Sequence, residues 1–242
     1  MGTARTTEWL LADEHRDEQL ALKRRLLAER HDEVFQVLPG TEDACDETLA
    51  ALRTWGGKRG YSTAIHPEFG GLAAAALLVQ EDLCVLADGI LVAGCVCFPS
   101  HWSLAEQIGR PVTDIHKRVP GYAVELGSKV DAFLRRLPSG TVVGRRNFAI
   151  HELPDLFAPD TPPTLGVPAP EQWLRSERQT LSRLRRSRAV LFTIRTQQVQ
   201  LRDLSAPARM RLGRRLRAEP EDLIAYRDLT DRRAALIDWL DP

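Results

Sequence analysis

The chain has 242 residues, 33 of them basic and 33 acidic, so its formal net charge is zero and a generic polyanion-binding surface is disfavoured. That length suits one large domain or two small ones with a substantial core. The longest apolar run, GGLAAAALLV, is too short for a bilayer span and no leader pattern is present, so the expectation is a soluble, cytoplasmic protein that neither enters a membrane nor binds nucleic acid. Cys45, Cys84, Cys95 and Cys97 lack paired C-x-x-C spacing and read as reduced, buried thiols rather than a zinc site.

From Ala12 to about Arg30, Leu20, Leu22, Leu26 and Leu27 recur at near-helical spacing in a charge-rich segment, which predicts an N-terminal surface helix. A second helix runs from Thr41, a cap residue, to about Trp55. GGKRGYSTAIHPEFGG carries a lysine among glycines, but it lacks the spacing, the preceding strand and the following helix of a phosphate loop. LCVLADGILVAGCVCF is two apolar runs split by Asp88-Gly89, so residues 83–87 and 90–98 are predicted to pair as a tight hairpin.

Several helices are expected between 103 and 137, the last presenting Leu126, Val130, Phe133, Leu134 and Leu137 on one face. TVVGRRNFAIHEL then returns the chain to strand. Six prolines from Pro154 to Pro170 mark a long surface connection. After it WLRSERQTLSRLRRS reads as a helix, AVLFTIRTQQVQL as a strand, and two helices near 206–217 and 229–240 close the chain. The class is α+β, an antiparallel sheet with helices gathered on one side.

One histidine stands out. In IGRPVTDIHKRVP, residues 108–120, Pro111 suits a first helical turn and Pro120 ends it, which predicts a helix of about two turns. His116 then shares a face with Val112, Ile115 and Val119, and a neutral imidazole in such an apolar wall is either a hydrogen-bonded core residue or a metal ligand. Glu177 and Arg178 fall within the apolar stripe of the predicted helix that follows the connection. Buried charges need partners, and these are each other, nearby backbone or, for Arg178, an anionic ligand. In RRNF, alternation puts Arg145 and Asn147 on one face and Arg146 and Phe148 on the other, so one arginine points inward.

CFPSHWSLAEQIGRPVTDIHKRVPGY, then RRNFAI, RSERQTLSRL and AVLFTIRT, resemble the haem-dependent oxidative N-demethylase α-subunit family, in order from about Trp9 to the C-terminus. The resemblance implies a single PAS-like haem-binding domain over residues 1–242: a hairpin, a helical middle and three further strands, with helical extensions at about 1–58 and 205–242. It implies that His116 is the proximal ligand of haem b, that Arg145, Arg178 and Arg195 are cofactor-binding, and that Arg145, Asn147 and Arg178 are catalytic. The implied activity is monooxygenase-type oxidation of a small amine or related molecule, oxidative N-demethylation included. Its electrons would come from NAD(P)H through a separate flavin and iron–sulfur reductase, since no G-x-G-x-x-G fingerprint is present. Arg118, Phe148 and Arg185 depart from the usual pattern, which puts an altered substrate pocket in prospect. The alternatives are a haem-based gas or redox sensor without turnover, and a haemless protein in which His116 belongs to the core.

Overall fold

The computed structural model describes residues 4–5, 8–121 and 127–242. Leu126, predicted to begin a helical face, lies outside them. Among the described residues, β1 (Ala4–Arg5), β2 (Phe35–Val37), β3 (Asp82–Ala87), β4 (Ile90–Cys95), β5 (Val142–His151), β6 (Trp173–Arg183) and β7 (Val190–Gln200) make one antiparallel sheet in the order β1-β5-β6-β7-β3-β4-β2. β3 and β4 form the predicted hairpin, where Asp88 and Gly89 take φ of 49° and 80°, the left-handed pair a two-residue turn requires. The second strand is shorter than expected. The Asp82 carboxylate accepts hydrogen bonds from the Cys97 and Phe98 amides at 2.9 and 2.8 Å and draws the chain off the ladder after Cys95.

β3 and β4 are buried along nearly their whole length, the mark of strands covered on both faces. Helices α1 (Arg16–Glu29), α2 (His31–Val34), α3 (Glu42–Gly57) and α4 (Gly71–Ala76) precede the hairpin. α1, α3 and α4 cover one face, bringing Leu27, Leu52 and Leu72 into a cluster with Leu83, Val85 and Leu191. α5 (Leu104–Gln107), α6 (Val112–Ile115) and α7 (Gly127–Arg136) cover the other, where Leu104, Val112 and Leu134 pack with Cys84, Leu86 and Leu91. Gly94 makes room for α5: a Cβ there would lie 2.6 Å from Leu104 Cδ1. The expectation of helices on one side is therefore corrected. The N-terminal helix is not a surface decoration, because Leu20, Leu26 and Leu27 are buried and Lys23 is wholly so, its ammonium bonded to the carbonyls of Ala76, Val79 and Glu81.

The second correction concerns WLRSERQTLSRLRRS, which is β6 rather than a helix. It lies between β5 and β7 and pairs with both along its length, so its backbone groups are satisfied from two sides. Arg175 and Glu177 sit on one face with Gln179, and Ser176 and Arg178 on the other with Thr180. Both faces thus carry polar residues, which hides the twofold alternation by which a strand is read. The connection from 152 to 168 is irregular, as its prolines imply. The chain ends in three helices where two were expected, α8 (Ala206–Ala218), α9 (Glu221–Tyr226) and α10 (Arg233–Leu240), which pack on Ile150, Phe148 and Leu174.

Candidate functional site

His116 caps the C-terminus of α6, a single turn where two were expected. Its Nδ1 donates to the Val112 carbonyl at 2.9 Å. A carbonyl only accepts, so the proton sits on Nδ1 and the lone pair of the neutral ring on Nε2. Burial pulls the imidazole's pKa below its ordinary value; the Val112 bond opposes this and the charge of Arg145 adds to it. The ring is held neutral in one tautomer beside Val112 and Ile115, two members of the apolar cluster under this face of the sheet.

Arg145 reaches that neighbourhood from β5. Arg146 is exposed and Arg145 half-buried, so Arg145 is the inward arginine of RRNF. Register and alternation place Arg145, Asn147, Glu177 and Gln179 on one face, with Asn147 opposite Glu177 and Arg145 opposite Gln179. Arg145 Nε donates to Gln179 Oε1 at 2.7 Å, Gln179 Nε2 donates to Glu177 Oε2 at 3.1 Å, and Arg175 Nε meets Glu177 Oε1 at 3.4 Å. Arg175 is wholly buried and also donates to the carbonyls of Leu156 and Phe98. A polar track thus runs along β6 from an anchored arginine to Gln179 and steps across to Arg145 on β5. Tyr226 of α9 adjoins it: partial burial of the ring raises the hydroxyl's pKa, and the charges of Arg227, Glu177 and Arg145 all reach it.

Arg178 and Arg195, expected with His116, are on the opposite face, directly paired across β6 and β7. Arg178 donates to the carbonyls of Trp9, at 3.0 Å, and Glu8. Arg195 is wholly buried, 2.5 Å from Asp13 Oδ2 and 2.9 Å from Gln19 Oε1. Both bind the N-terminal segment to the sheet, and neither is brought to His116. Glu177 and Arg178 do not pair with each other either, since neighbours on a strand point to opposite faces.

The three departures from the family pattern are dispersed as well. Arg118 is exposed, Phe148 lies under the Arg227 guanidinium at 4.3 Å, and Arg185 is exposed in the turn between β6 and β7. Arg175, Gln179 and Tyr226 carry no role that the sequence alone assigned, and Glu177, expected in one stripe with Arg178, lies instead with Arg145 and Gln179. The spacing of 175, 177 and 179 within RSERQTLSRL was the available signal, but it has meaning only once that segment is a strand.

No helix among the described residues is long and apolar enough to cross a membrane. The family described as haem-dependent oxidative N-demethylase, alpha subunit-like, matches residues 57–237. That span contains His116, Arg145, Asn147, Glu177 and Gln179.

Proposed function

The chain belongs to the haem-dependent oxidative N-demethylase, alpha subunit-like family, and on that premise we propose that it binds haem b through His116 and oxidises a small amine or related molecule, oxidative N-demethylation included. The observation that carries the proposal is the hydrogen bond from His116 Nδ1 to the Val112 carbonyl. A histidine that ligates iron needs its other nitrogen tied to an acceptor, which fixes the tautomer and makes the ligating nitrogen more basic. When bound, the haem supplies oxygen binding and one-electron chemistry that no side chain can provide.

Arg145, fixed at Nε by Gln179, offers a cation to a cofactor carboxylate or to negative charge that develops in the pocket. Asn147, two residues along the same face, adds an amide that can donate or accept. Gln179 and Glu177 keep this arginine from swinging away, and the apolar residues around α6 exclude water. Electrons come from NAD(P)H through a separate flavin and iron–sulfur reductase, and the family's description as an alpha subunit supports a protein partner. Strand order supports a single PAS-like unit with N- and C-terminal helical extensions: after the hairpin and the intervening helices, β5, β6 and β7 return side by side until β7 lies next to β3. Four free, buried thiols are in keeping with a reducing, cytoplasmic setting.

Visible absorption of the protein, expressed with adequate iron and haem precursor, tests the reading. We expect roughly stoichiometric haem with a Soret band, and loss of that band in His116→Ala, which removes the iron's bond to the protein. A colourless protein that also fails to take up haemin would overturn the proposal, and retention of haem by His116→Ala would move the ligand elsewhere. Given a surrogate reductase and oxygen, an N-methyl substrate should release formaldehyde. An oxygen complex that persists with every amine offered would favour the sensor.

A further inference from the structure

At the other end of β5 from Arg145, the described residues enclose a cleft of about 240 Å³. Three segments meet there: the turn after β4, the proline-rich connection and the turn between α9 and α10. Arg145 and His151 are six residues apart on one strand face, which at the rise of a β-strand is roughly 20 Å. The cleft is therefore separate from the site around His116.

Two imidazoles form one wall. His101 and His151 stack with centroids 4.8 Å apart and planes 9° from parallel. His151 is only 7% exposed, and its Nε2 is 3.0 Å from Ser100 Oγ. Its Nδ1 and the ring nitrogens of His101 have no hydrogen-bond partner among the described residues. Burial pulls both rings below the ordinary histidine range, with Arg175 and Arg232 assisting and, at His101, the Asp228 charge opposing; His151 falls to about 3. Both are neutral at physiological pH, so each ring carries one N–H and one lone pair, and His151 Nδ1 accepts when Nε2 donates to Ser100 Oγ.

The charge of the lining is one-sided. Glu152, Asp155, Asp160 and Asp228 line the cleft with Arg232, while the charge of buried Arg175 reaches the two imidazoles from behind the wall. Glu152 is engaged by the amides of Leu165 and Val167 at 2.7 and 2.8 Å, and Arg232 by Gln172 Oε1 and the carbonyls of Ile150 and Asp228. Asp155, Asp160 and Asp228, all exposed and the last also within reach of the Arg232 charge, add negative charge beside the neutral imidazoles, with Phe157 and Leu153 adding hydrocarbon. A metal ion is a poor match. Parallel stacked rings do not aim their lone pairs at one point, and no cluster of three metal-binding side chains occurs among the described residues. An ammonium ion, which needs several acceptors and a negative field but no fixed coordination geometry, is a good one.

We propose that this cleft is a second small-molecule site that takes a small primary or secondary ammonium ion, its N–H groups donated to Asp228 and to a ring nitrogen of the His101–His151 pair. The proposal stands independently of haem, and its test involves no turnover. Three probes of one shape, isobutylammonium, isobutanol and isobutyrate, are titrated into the full chain with ¹⁵N-labelled histidine, and the ring nitrogens are followed by NMR. Isobutylammonium should shift His101 and His151 saturably while the other two do not. Asp228→Asn should weaken that binding up to about fivefold, as expected for one exposed ion pair. The variant should fold, because Asn tolerates the left-handed backbone of position 228 (φ 56°) as well as Asp does, and a melting curve checks this. Equal shifts with isobutanol or isobutyrate, no saturable shift up to the solubility of the amine, or unchanged affinity in folded Asp228→Asn would each overturn it. None of these outcomes would touch the Soret band or its dependence on His116.

Discussion

Replacing Arg178 by methionine separates two roles that a linear motif places side by side. Arg178 is 7% exposed and holds the carbonyls of Trp9 and Glu8, the stretch that leads into α1. A hydrogen bond from a charged donor contributes about 1.5–3 kcal/mol, so two are worth about 3–6 kcal/mol. Methionine restores much of the lost volume and water can reach part of the stranded acceptors, which leaves an expected loss of about 3 kcal/mol. For a chain of this size 1 kcal/mol moves Tm by about 2–4 °C, so Arg178→Met should melt about 6–12 °C below the parent. Arg145→Met should behave in the reverse sense. It loses the bond to Gln179 at a half-buried position and should cost less stability than Arg178→Met, yet it should weaken haemin binding or turnover markedly. Calorimetry and haemin titration of both variants provide the comparison. If Arg178→Met melted like the parent while losing haemin as severely as Arg145→Met, the assignment of these arginines to opposite faces and opposite tasks would be refuted.

Glu47 makes a prediction about pH. Burial by itself would raise its pKa, but the amides of Arg185, Arg186 and Ser187 and the Ser187 hydroxyl, all within 2.9 Å, outweigh it and leave the carboxyl below the ordinary glutamate value. A depressed folded-state pKa stabilises the protein above the unfolded-state value, and that contribution is lost as pH falls through the folded one. Glu47→Gln should therefore cost about 2 kcal/mol at neutral pH and flatten the fall in stability as pH drops below the ordinary glutamate value; parallel curves would contradict this. Burial, with the charges of Asp46 and Glu42, pushes the Cys45 thiol up to about 11, and burial with Asp82 and Cys95 raises that of Cys84. The native protein should react slowly with a thiol reagent at about pH 8 and release four thiols when denatured, whereas one fast thiol in the native state would be a failure. Arg185→Ala, in an exposed turn, should change stability by less than about 0.5 kcal/mol and leave substrate preference alone. A shift in preference would show that the turn between β6 and β7 approaches the substrate after all.

What the chain encodes between neighbours was open to reading without coordinates. Asp88-Gly89 between two apolar runs specifies a hairpin because few residue pairs accept two left-handed φ values. α1, α3 and β7 follow from the periods of their apolar residues. His116 was visible because Pro111 and Pro120 bound its segment and leave it on the side of Val112 and Ile115. β6 was not visible. Its charges are satisfied by Trp9, Phe98, Leu156 and Gln179, and three of these lie at distances along the chain that no local period reports. Read as a helix, Glu177 and Arg178 share a stripe; set as a strand between β5 and β7, they part to opposite faces. Glu177 joins Arg145 on the side of His116, and Arg178 joins Arg195 against the N-terminal segment. Side-chain identity therefore determined that charges would be buried, whereas only strand pairing decided which face each took, because adjacent residues of a strand must diverge and the ladder that makes β6 a strand is supplied by segments far from it in sequence.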